Sequence, residues 1–131
     1  MKIINKNISI NSILGENANL KGIYSIDGPL RIDGNFKGKI NSTDKVIIGK
    51  TGRVECIIIA RTVIVGGTVK GDIFAEDKVI VLKTGEIIGN IFSCSVNMEN
   101  GVIFNGNCKI IEKESIKDLL ELKRKEHYLF H

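Results

Sequence analysis

From Leu30 the chain reads Leu-Arg-Ile-Asp-Gly-Asn-Phe-Lys-Gly-Lys-Ile, with polar residues set between apolar ones as far as Ile40. A polar corner, Asn41-Ser-Thr-Asp-Lys45, follows, and the pattern restarts at Val46, Val63, Val79 and Val96, in steps of 16, 17, 16 and 17 residues. Aligned on those starts, Leu30, Val46, Val63, Val79 and Val96 share one position, and Ile32, Ile48, Val65, Val81 and Met98 a second. Phe36, Val54, Val69, Ile87 and Phe104 form a third column, and Ile40, Ile58, Ile73, Ile91 and Cys108 a fourth. A fifth holds Gly38, Cys56, Gly71, Gly89 and Gly106, and an earlier copy running from Leu14 through Leu20, Gly22 and Tyr24 fits the same frame. The chain therefore carries about six copies of one unit.

Alternation at period 2 makes each copy a series of short strands. A unit of 16–17 residues cannot bury its own apolar face, but stacking on its neighbours does so, like residue over like residue about 4.8 Å apart in parallel. The reading is an all-β parallel β-helix, or β-solenoid, of about six coils, a rod on the order of 30 Å long. A small β-sandwich shares such turn spacing but has no reason to align its columns. The corner glycines answer a need for positive φ or close backbone approach, and Cys56 marks the coil that dispenses with it.

Composition narrows this further. Hydrophobic residues are 43% and charged residues 26%, ordinary for a globular domain and unlike a disordered chain. Aromatics are only 5%, Trp is absent, and Ile and Val dominate, as suits strands. The net charge of +4 has no focus, because residues 111–131 hold five bases and five acids and residues 15–110 hold 12 and 10. Without a basic stripe or stacking aromatics, nucleic acid is a poor partner. The sequence shows no transmembrane-length apolar run and no signal-peptide pattern, so a cytoplasmic protein is expected. Cys56, Cys94 and Cys108 lack metal-ligand spacing and are expected to be free, buried structural thiols.

Several stretches carry a resemblance to a known family. They are Ile13-Leu-Gly-Glu16, Leu30 to Ile40, Val46-Ile-Ile-Gly-Lys-Thr-Gly52, Val69-Lys-Gly-Asp-Ile73 and Gly101-Val-Ile-Phe-Asn-Gly106. From residue 13 to about 110 the chain resembles the bactofilins, bacterial cytoskeletal proteins that polymerise without nucleotide. The resemblance implies a right-handed, triangular β-helix and a homopolymer joined end to end, like end to like end, into non-polar filaments that support cell shape or place cell-envelope machinery. It implies no cofactor, no metal and no enzymatic activity. It places Leu14, Leu20 and Tyr24 at one junction, and Val102, Ile103, Phe104 and Cys108 at the other. Physics agrees that the ends decide assembly, since a solenoid terminates in unpaired strand edges. Phe104 stands out as an aromatic with no covering rung.

Residues on the opposite parity add a second surface. Ile47, Ile64 and Ile80 recur at one position of opposite parity, and Ile59, Phe74 and Phe92 at another: either a corner resets the alternation and turns them inward, or they form outward apolar stripes suited to lateral pairing of filaments, a protein partner or a membrane. Cell-wall enzymes or inner-membrane proteins are the partners that the resemblance implies. In the family a short N-terminal segment docks on the inner face of the cytoplasmic membrane, and here Met1, Lys2, Ile3, Ile4 and Lys6 fill that place. The alternative function is a non-polymerising solenoid that recruits one protein through these stripes or a C-terminal helix.

The expected organisation is an N-terminal tail over 1–12, the β-helix over 13–111 and a helical tail over 112–131. Ser115-Ile-Lys-Asp118 reads as a helix cap, with a helix over 116–128 whose Ile116, Leu119 and Leu120 face covers the last coil or binds a partner. The rival class, the left-handed β-helix acyltransferases, needs hexapeptide periodicity and a coil-region His, whereas the only histidines are His127 and His131. Asp27, Asp33, Asp44, Asp72 and Asp77 fall at corners, where Asp serves local hydrogen bonding.

Overall fold

The computed structural model describes the backbone of residues 3–7 and 12–125, and the side chains of residues 15–125. The strands are β1 (Ile3–Asn7), β2 (Ser12–Leu14), β3 (Asn19–Asp27), β4 (Leu30–Ile32), β5 (Asn35–Ser42), β6 (Lys45–Ile48) and β7 (Arg53–Val65). They continue with β8 (Thr68–Lys70), β9 (Ile73–Val81), β10 (Glu86–Ile88), β11 (Ile91–Ser93), β12 (Val96–Met98), β13 (Ile103–Asn105) and β14 (Cys108–Ile110), before one helix, α1 (Lys113–Lys125). Every pairing is parallel and joins a strand to its equivalent one turn on, as in β4 to β6 and β5 to β7. The result is a β-solenoid with three faces per turn.

Face A stacks β2, β4, β6, the ends of β7 and β9, and β12. These six rungs enclose about five full turns. Face B stacks the starts of β3, β5 and β7 with β8, β10 and β13. Face C stacks β1, the end of β3, the end of β5, the middle of β7, the start of β9, β11 and β14. The aligned columns are these stacks, since Phe36, Val54, Val69, Ile87 and Phe104 are successive register partners, as are Ile40, Ile58, Ile73, Ile91 and Cys108. From Ile32 to Ile91 the inward members of the columns are buried and form one core. Each such side chain contributes about 1.5–3 kcal/mol by leaving water.

The corner between faces B and C needs glycine for a reason visible at Gly71. Its φ is +135°, and a Cβ there would lie 2.1 Å from the carbonyl oxygen of Cys56 on the rung below. Gly22, Gly38, Gly89 and Gly106 share the positive φ, whereas among the described residues no non-glycine has one, so Cys56 makes the same corner with ordinary backbone and a buried thiol. Burial pushes that thiol far above its usual pKa.

The termini add detail, and at one of them an expectation changes. Residues 3–7, within the N-terminal tail that the sequence also allows as a strand extending the first coil, form β1 and extend face C by one rung beneath β3. The helix occupies Lys113–Lys125 and not 116–128, of which 126–128 lie outside the described residues. The reason is local. The Ile111 N–H still bonds the Ser93 carbonyl as part of the ladder, and the Ile116 N–H already bonds the Glu112 carbonyl, so Glu112 takes the cap position and Ser115 falls in the first turn.

Candidate functional site

The last coil ends openly. Strands β12, β13 and β14 each pair only with the strand one turn before them, leaving their outer edges without a partner among the described residues. Inward columns that are buried through the rod surface here, with Met98 39% and Ile110 62% exposed and Val96 and Phe104 half-buried against the core. Cys108 closes the fourth column and is exposed, which corrects the expectation of an inert, sequestered thiol; its partial burial still pushes the thiol pKa up. Val102 packs partly on the core. Ile103 lies on the same last rung but faces away from the core columns. It continues the outward column of Thr68 and Glu86 on face B and is 59% exposed, because in the run Val102-Ile103-Phe104 strand alternation directs Phe104 inward and Ile103 out. Val96 and Met98 close the first and second columns at this end without having been assigned to a junction, and Ile110, which follows Ala60, Ala75 and Ser93, lay in none of the columns read from the sequence.

The first coil is less open. Leu20 and Tyr24 occupy inward columns, and the Tyr24 ring meets Phe36 edge-on at 5.2 Å. Tyr24 is not at the extreme end, because its rung pairs with Ile4 of β1. Burial raises the Tyr24 pKa. The Asn19–Lys21 edge has no further strand among the described residues. The backbone at Leu14 pairs with Ile32, and its side chain lies outside the described residues. So do Met1, Lys2 and the side chains of Ile3, Ile4 and Lys6.

The flanks differ from one another. Ile59, Phe74 and Phe92 do point outward from face C, yet Ile59 and Phe74 are fully buried, because α1 lies on them. Ile116 and Leu120 of the helix join them in a second apolar cluster with Ile57, Phe92, Ile111 and Leu119 at its margin. Phe74 and Phe92 stack at 4.8 Å, and the Lys123 ammonium sits 5.5 Å from the Phe74 ring centre. At its start the helix is held by Lys113, 3.2 Å from Asp77, which also receives Arg61 at 3.0 Å. Burial alone would raise the Asp77 pKa; Lys113 and Arg61 outweigh it and hold the carboxyl below its usual range. At its far end Arg124 donates to Asn41 at 3.0 Å, and buried Lys39 donates to the Lys123 carbonyl, a cation at the negative end of the helix dipole.

The helix thus runs along the rod, from the last coil back to the second. This corrects two expectations. It covers the face C stripe, which is no free lateral surface, and it leaves the last rung uncapped. Among the corner acids, Asp33 binds Arg31, Asp27 accepts from Thr43, and Asp72 accepts from Asn90, each in a local bond. On face A, Ile47, Ile64 and Ile80 are half-exposed and belong to neither cluster.

Comparison with known proteins fits this geometry. A family described as "Bactofilin: Polymer-forming cytoskeletal" matches residues 12–109. A cryo-EM reconstruction of Thermus thermophilus bactofilin double helical filaments is 29% identical, with a TM-score of 0.66, and the match covers 75% of this chain and 97% of that one. No curated protein matches. The family match ends at residue 109, so α1 lies beyond it.

Proposed function

This chain belongs to the bactofilin family, whose members are polymer-forming and cytoskeletal, and on that premise we propose that it joins end to end into nucleotide-independent, non-polar filaments. The observation that carries this reading is the open last rung, where core columns reach the surface and three strand edges lack partners. A second copy meeting this rung with its own covers Met98, Phe104 and Ile110 and gives the edges a partner. The work is structural and not catalytic. The filaments scaffold cell shape or envelope machinery at the inner face of the cytoplasmic membrane, with Met1, Lys2, Ile3, Ile4 and Lys6 as the lipid contact. Each lysine near anionic lipid adds about 1 kcal/mol, and a filament multiplies such weak contacts.

Sedimentation tests this reading. Purified full-length protein, without nucleotide or metal, is expected to pellet, and Phe104→Arg to stay in the supernatant with an unchanged melting temperature, because a charge then faces the junction in place of an apolar ring. Equal pelleting of the two would place the junction elsewhere, and a wild type that never pellets would overturn end-to-end assembly.

A further inference from the structure

Ile23 is buried where stacking alone would leave it partly open to water. It stands on the outward column of face C at the first coil, in register with Lys39 and Ile57 on the next two rungs, while its neighbour Tyr24 packs on the core. Ile64 has the same setting on face A, outward between Ile47 and Ile80, and neighbours above and below leave it only half-buried. Ile23 is 6% exposed, so a cover lies across it from outside, as α1 lies across Ile59 and Phe74. The described end of α1 is engaged elsewhere. Lys123 sits over the Phe74 ring, Arg124 donates to Asn41 and to the Ser42 carbonyl, and Ile23 joins neither apolar cluster.

We infer that residues 126–131 of this same chain fold over Ile23 and clasp the first coil, shielding β1, the strand of the proposed lipid contact, one rung further on. The shielding rests on that lipid contact; the clasp does not. Direction and reach single out this segment. Helix α1 runs from the last coil back to the second, so the chain leaving Lys125 is already aimed at the first. One rung is about 4.8 Å, and six residues reach up to about 20 Å, enough to cross both Ile23 and its register partner Ile3. The chemistry matches as well. Tyr128, Leu129 and Phe130 are consecutive, and every described aromatic of this chain packs on one of the two apolar clusters, as the large area of such rings favours. An apolar run delivered within one rung of Ile23 takes both out of water.

The sequence has no Trp, so full-length Phe130→Trp carries a single reporter. Its emission is expected at the short wavelength of a buried indole, with quenching by iodide several-fold weaker than for free tryptophan. Adding Ile23→Asp should shift it to the emission of an exposed indole, whereas Ile64→Asp, a charge on the bare column of face A, should not, with the β circular dichroism of both retained. An exposed indole in Phe130→Trp and in Tyr128→Trp alike would overturn the clasp. An indole shielded only until Phe104→Arg blocks assembly would move the segment onto a second copy and overturn it too. Shielding is read by flotation with phosphatidylglycerol vesicles, where the triple variant Tyr128→Ser, Leu129→Ser, Phe130→Ser is expected to bind several-fold more than wild type. An unchanged bound fraction would refute the shielding, and a lower one would make this segment the lipid contact itself. If neither protein floats, the lipid contact proposed above fails together with the shielding, and the indole still decides the clasp.

Discussion

Replacing Gly71 with valine is expected to destabilise the rod severely. At φ +135° a β-branched residue is strained, and its Cβ would stand 2.1 Å from the Cys56 carbonyl oxygen and 3.0 Å from the carbonyl carbon. Neither obstacle is a movable side chain; both are backbone of a rung fixed by the ladder on either side. Relief requires opening the corner, and with it the parallel pairing of β8 and of β9 to β7. Strained backbone alone costs about 1–3 kcal/mol, and the overlap raises the total to the order of 4 kcal/mol, a large share of a net stability of about 5–15 kcal/mol. A melting temperature lower by roughly 15 °C is expected from thermal circular dichroism. Cys56→Gly is the matched comparison at the same corner. It loses a buried side chain but no corner geometry, and should retain the β spectrum. A Gly71→Val protein that melts within a few degrees of wild type would contradict the stacked-corner account.

The second large effect concerns α1. Aspartate at both Ile116 and Leu120 places two carboxylates where the side chains are 0% and 1% exposed. The helix leaves the flank sooner than bury them, so the loss saturates at its docking energy, while the solenoid core, which shares neither residue, persists. A freed helix of 13 residues is marginal in water. Far-UV circular dichroism should therefore lose its helical component and keep its β component, and Phe74 should become accessible to a hydrophobic dye. Retention of the helical signal and an unchanged dye response would contradict the docked arrangement.

These two expectations mark what was legible in the sequence and what was not. Parallel stacking demands that like residues recur at fixed intervals, so the columns through Val46, Ile58 and Val69 could be read from spacing alone, and so could the glycine corner. The position of α1 could not, because it depends on Ile59, Phe74 and Phe92 meeting Ile116 and Leu120 through space and not through any period. A partial signal was present. Outward apolar residues on one flank and an amphipathic helix about 20 Å long match in length over about four rungs, which suits a helix laid along the rod better than one laid across its end. The helix start was misjudged because Ser115 resembles a cap, whereas the last bond of the ladder at Ile111 sets where the chain turns. At the open end the column rule already held the answer for Met98, whereas Ile110 follows Ala60, Ala75 and Ser93, a column too small and polar to mark an apolar end residue.

The central claim is that rods join end to end with their coils stacked along the filament. X-ray fibre diffraction from aligned filaments of the full-length protein tests it most directly. Coils stacked along the axis predict a strong reflection near 4.8 Å on the meridian, with an axial subunit repeat on the order of 30 Å from six rungs at that spacing, doubled to about 60 Å when like ends meet. A 4.8 Å reflection on the equator would mean that the rods lie across the filament, and would contradict end-to-end assembly.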